Sequence, residues 1–132
     1  MQLHNANTSS SLDRLKLFGI ISAVVVIGTA PLTIYHVSHQ QMIYHILIHV
    51  AGLIIATFLS FIGVIAYVKD SRTKLLIMAL GFITLAILEI ILLLTVTGNL
   101  DETIIPVVNA ELPHMVLLII ITLFGSGILK IN

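Results

Sequence analysis

Cysteine is absent from the 132 residues. Disulfides, iron–sulfur clusters and thiolate metal sites are therefore excluded, and any metal would have to use histidine, carboxylate, methionine or backbone oxygen. Charge is scarce as well. Only 9% of residues are Asp, Glu, Lys or Arg, against about a quarter in an ordinary soluble domain. The formal net charge is zero, which leaves no basic footprint for nucleic acid. No serine-nucleophile elbow and no Walker-type sequence occurs. The GSG at 125–127 sits in an apolar run with no Lys-Ser or Lys-Thr behind it, so it is not a phosphate loop. With no nucleophile, base and oxyanion donor set, catalysis by this chain alone is not expected.

What is present is apolar. Hydrophobic residues make up 58% of the chain and the mean hydropathy is +1.16. Too little polar surface remains to cover a fold in water, so lipid must be the solvent. One transmembrane domain over residues 1–132 is expected. The opening MQLHNANTSSS is polar and lacks a positive start, and no small-residue cleavage site follows the first apolar run. A retained first span is therefore expected in place of a cleaved signal. In isolation the polar tail should be disordered, and another subunit would be needed to hold it.

Four apolar stretches follow, at about 17–35, 42–68, 75–97 and 113–129. A bilayer core of ~30 Å takes about 20 helical residues, and in hydrocarbon the backbone must satisfy itself. The expected fold is all-α: an integral membrane four-helix bundle, threaded up-down-up-down. Ser9, Ser10 or Ser11 is a candidate cap for the first helix, and Pro113 suits the first turn of the fourth. Pro31 is expected to disturb the end of the first. The apolar middle of the longest link, Ile104–Val108, is expected along the membrane interface. Tyr35, Tyr44 and Tyr67 fall near helix ends, as belt residues do.

All six basic residues fall on one side of this threading: Arg14, Lys16, Lys69, Arg72, Lys74 and Lys130. The other side carries Asp101, Glu102 and Glu111. The positive-inside rule then places both termini in the cytoplasm.

Histidine is segregated in the opposite sense. His36, His39, His45, His49 and His114 fall on the outer side, and only His4 on the inner. His45 and His49 are i,i+4 on one helix, so their rings share a face. That face continues through Gly52, Ala56, Ser60 and Gly63, a stripe of small residues that permits close helix approach. Glu89 is the one acidic residue deep in a span, with no Lys or Arg there to compensate it, and such a group is a functional candidate by default. At 1.5 Å per residue it lies about 12 Å inward from Thr97, while His49 lies about 10 Å inward from Met42. The two therefore meet at one level. One reading is a metal site with His45, His49 and Glu89 as ligands and His114 as a fourth, suited to copper or another divalent metal. A bis-imidazole haem is the variant, pairing a histidine of the second helix with His114 or His36. The plainer reading is a hydrogen-bonded His49–Glu89 couple that stabilises the bundle. Proton transfer is a further reading.

The stretch IGVIAYVKDSRTKLLIMALGFITLAILEIILLL, with HILIH before it and PH opening the last helix, resembles a pattern of small four-helix archaeal membrane proteins. The Ile-, Asn- and Lys-flavoured composition resembles that of ammonia-oxidising archaea, whose copper membrane monooxygenase is associated with small all-helical accessory subunits. The resemblance implies an accessory subunit of a membrane metalloenzyme, with other membrane subunits as partners. A haem-binding electron carrier and a purely structural membrane subunit are the alternatives. Four short spans with one acidic residue offer little for alternating access, so transport is not expected.

Overall fold

The computed structural model describes the backbone of residues 3–36, 40–100, 104–105 and 110–129, and the side chains of 12–36, 42–100 and 112–127. Four helices carry the fold: α1 (Leu3–Thr33), α2 (Gln40–Asp70), α3 (Thr73–Val96) and α4 (Leu112–Leu129). A two-residue β pairing, β1 (Ile104–Ile105) with β2 (Ala110–Glu111), sets Ile104 opposite Glu111 between α3 and α4. Residues 106–109, part of the expected interfacial segment, lie outside the described residues.

The ends of α2, α3 and α4 fall within two residues of the apolar stretches. The start of α1 does not. It begins at Leu3, so Ser9, Ser10 and Ser11 are inside the helix and none of them caps it. The physical reason is that LHNANTSSSLDRLK, though polar, contains neither proline nor glycine, and nothing in it stops a helix already templated by the span behind it. The tail expected to be disordered is helical from Leu3 onward; its side chains lie outside the described residues. Pro31 sits in the last turn of α1, which tightens into a 3-10 turn at Ile34–His36. Pro113 occupies the first turn of α4.

Only Ser71 and Arg72 separate α2 from α3. Ser71 adopts φ 44°, and its N–H donates to the Tyr67 carbonyl at 2.6 Å, closing α2. About this turn the two helices fold as a hairpin. Gly63 meets Ala79 near the turn, and Gly52 meets Glu89 farther out. α4 lies on α3 in the same manner, with Phe124 over Gly81 and Gly127 against Met78 and Ile77. α1 touches α2, where Phe18 and Phe58 make an edge-to-face contact at 5.3 Å. The buried apolar residues are few among those described: Ile46, Leu53 and Ala56 of α2, Ala79, Leu88 and Leu93 of α3, with Ile21 of α1 and Ile120 of α4.

Much of the exposed surface along the spans is apolar. Ile20, Val24 and Ile27 of α1 and Leu47, Ile48 and Ile55 of α2 are all exposed. Three helical segments are long and apolar enough to cross a membrane, Leu12–His36, Met42–Asp70 and Thr73–Val96, while α4 contributes a shorter apolar stretch. Such an outer surface suits contact with a lipid bilayer. The hydroxyls agree with that setting. Ser60, Thr84, Thr95 and Thr122 each donate to the carbonyl four residues back, at 2.7–3.0 Å. Each is thereby satisfied without water.

Candidate functional site: a histidine–glutamate contact between two helices

Glu89 stands in the run Leu88–Leu94, where no neighbour on its own helix can neutralise it. The residue opposite makes room for it. A Cβ placed on Gly52 of α2 would lie 2.6 Å from Glu89 Oε1 and 2.8 Å from its carboxyl carbon. The carboxylate therefore occupies the space that any larger side chain at 52 would fill. This is the one place where the absence of a side chain on α2 decides the site. One turn earlier on the same face, His49 Nδ1 lies 2.8 Å from Glu89 Oε2. The two side chains are 12% and 19% exposed.

One proton stands between the pair. With Glu89 ionised, His49 Nδ1–H donates to the carboxylate and Nε2 is left as an acceptor. With Glu89 protonated, the carboxyl O–H donates to Nδ1. His45 lies a turn farther out and stacks on His49, ring centroids 4.9 Å apart and planes 29° from parallel. His45 is exposed, and its ring covers that of His49. Among the described residues no hydrogen bond engages His49 Nε2 or either ring nitrogen of His45.

His114 stands in the first turn of α4 and is exposed. His36 ends the 3-10 turn, half-buried. His39, Asp101, Glu102 and Lys130, and the side chains of His4 and Glu111, lie outside the described residues. Among the described residues no three His, Asp or Glu side chains form a group that could hold a metal ion. The separation of 2.8 Å is that of a hydrogen bond between charged or neutral partners, whereas two ligands of one metal would each approach it at ~2.0–2.2 Å. As arranged, the residues make a hydrogen-bonded pair with a stacked neighbour and not a shell of three or more ligands.

Two supporting features carry no mark in the sequence. Ala79, fully buried, is what Gly63 packs against; an alanine within the apolar run of α3 gives no sign in the sequence of facing a glycine on α2. At the end of α3, Thr97 donates to the Leu93 carbonyl at 2.8 Å and accepts from Asn99 Nδ2 at 2.9 Å. Gly98, at φ 67°, then turns the chain out of the helix.

No known protein family, curated protein or solved structure matches this chain.

Proposed function

We propose that the chain is a small multi-pass membrane subunit, threaded up-down-up-down through four spans with both termini cytoplasmic, and that the His49–Glu89 couple is a proton-holding tie between α2 and α3 on the external side. The observation that carries this reading is the 2.8 Å contact between His49 Nδ1 and Glu89 Oε2. A carboxylate in hydrocarbon requires a partner or a proton, and this contact supplies either. The one-sided Lys and Arg distribution supports the threading. Nitrogen NMR of the histidine rings in proteoliposomes tests the couple. The Nδ1 resonance of His49 should move on Glu89→Ala and return toward its original position in Glu89→Gln. A His49 spectrum indifferent to residue 89 ends the reading.

The threading and the partners are tested separately. An impermeant protease that removes a tag after Asn132 on intact cells reverses the orientation. A monodisperse monomer recovered from native membranes in mild detergent ends the subunit assignment.

A second reading is favoured by the engagement of His49 Nδ1. A carboxylate on one ring nitrogen is the usual outer-sphere partner of a metal-bound imidazole. Under this reading His45 and His49 are the ligands to copper or another divalent metal, and Glu89 orients His49 without binding the metal itself. Elemental analysis and an absorption spectrum of the native material separate it from the haem alternative. Placement in a copper monooxygenase complex rests on the resemblance alone.

A further inference from the structure

At the end of the molecule away from His49 and Glu89, α1 and α2 enclose a cavity of about 350 Å³ lined by Asp13, Arg14, Leu17, Ile62, Ile65, Ala66 and Lys69. Its size falls within the usual range for small-molecule sites. The lining is divided by depth. The charged residues are Asp13 and Arg14, about three turns into α1, and Lys69 in the last turn of α2, while Leu17, Ile62 and Ile65 lie inward along the apolar spans. Arg14 and Lys69 outnumber Asp13, and neither cation is engaged in an ion pair among the described residues. The Arg72–Asp70 pair nearby is separate and exposed.

We infer that this cavity is a binding site for one anionic phospholipid, its phosphodiester between Arg14 and Lys69 and the start of an acyl chain along Leu17, Ile62 and Ile65. Two cations from different helices lining one cavity match a phosphate bridging them, and the apolar lining matches the methylenes that follow. Basic pockets between spans on the positive side of a membrane hold acidic headgroups by this division of labour. The inference rests on membrane placement only and is independent of the histidine–glutamate couple.

The full chain is reconstituted in nanodiscs of phosphatidylcholine with a minor fraction of phosphatidylglycerol, and retained lipids are counted by native mass spectrometry. The wild type should retain one phosphatidylglycerol in preference to phosphatidylcholine. Each cation removed should weaken that preference about fivefold, so Arg14→Gln with Lys69→Gln should abolish it, while Arg14→Lys with Lys69→Arg should keep it. Lys16→Gln with Lys74→Gln removes the same charge from the same side outside the cavity and should leave the preference intact. Circular dichroism confirms that each variant is helical. Equal retention of both lipids by the wild type, or an equal loss in the Lys16/Lys74 variant, overturns the site. So does a second copy of the chain, in place of lipid, on the Arg14–Lys69 face.

Discussion

The α2–α3 seam and helix α1 are built from the same kinds of residue and behave differently. Both contain glycines within long apolar runs. On α2, Gly52 and Gly63 are approached by Glu89 and Ala79 to within what would be contact with a missing Cβ; on α1, Gly19 and Gly28 have nothing within 4 Å. α2 and α3 bury Ala56 and Ala79 completely, whereas 6% of the first candidate span is buried against 17% of the second and third. Glycine is therefore not in itself a mark of helix contact. What marks it is a stripe, Gly52, Ala56, Ser60 and Gly63 on one face, opposed by another small residue. In lipid the hydrophobic effect does not drive helices together, and close van der Waals packing must do so. Among the described residues of α1, only Ile21 and Thr29 are buried, and neither Gly19 nor Gly28 meets another helix.

The comparison breaks most visibly at Gly63. The atoms a Cβ would meet there are Ala79 Cβ at 3.0 Å and Ala79 Cα at 3.1 Å. The second is backbone and cannot swing aside. Gly63→Leu should destabilise the α2–α3 hairpin by about 3 kcal/mol, the upper end for overpacking. The same change at Gly28 should stay within about 0.5 kcal/mol, as at sites without special contacts. Unfolding in mixed micelles reads both. Equal effects at the two positions remove the distinction between seam and arm.

A smaller effect is expected at the couple itself. Interhelical hydrogen bonds in membranes are worth about 0.6 kcal/mol on average and reach about 1.7. Glu89→Ala should fall near 1 kcal/mol in that range. Adding His49→Ala to it should change little, because the two side chains act as one unit. Gly52→Ala should report on the same contact without removing either partner. Its Cβ would drive the carboxylate out of its place, so the His49 ring resonances should shift as they do in Glu89→Ala. Full additivity of Glu89 and His49 substitutions would mean that their proximity carries no coupling.

Much of this arrangement was legible before the fold was known, and the parts that were not have physical reasons. Hydropathy located α2, α3 and α4 because a span's length is fixed by the bilayer. It missed the first fourteen residues of α1, since it measures lipid contact and not helix formation. The level of Glu89 with His49 followed from counting along rigid helices. His114 could not be placed in that way: the sequence between the third and fourth apolar stretches carries no helical pattern to count along. For His45, the i,i+4 spacing puts the two rings side by side, but rotamers decide whether their nitrogens converge or their faces stack, and spacing carries no information on rotamers. Gly52 was legible as a member of the packing stripe. Its second role, leaving space for the carboxylate, required both helices in place.

The smallest expected effect concerns what holds α1 at all. Phe18 and Phe58 meet edge to face with centroids 5.3 Å apart and planes at 87°. Phe18 is itself 38% exposed, so the contact is peripheral, and an aromatic pair is worth about 0.5–1.5 kcal/mol beyond its area. Phe18→Leu keeps a similar volume while removing the ring, and should cost about 0.5 kcal/mol, the low end. The informative part is where the loss appears. If α1 is an arm on an otherwise self-sufficient hairpin, the substitution should increase the mobility of α1, read by spin labels at Leu15 and Ile27. It should leave the His49 nitrogen spectrum and the micellar unfolding of α2–α3 unchanged, because Phe58 lies on α2 away from Gly52 and Gly63. A Phe18→Leu variant whose His49 resonances move with α1 would show that the arm and the seam are coupled, and that the contrast between them does not hold.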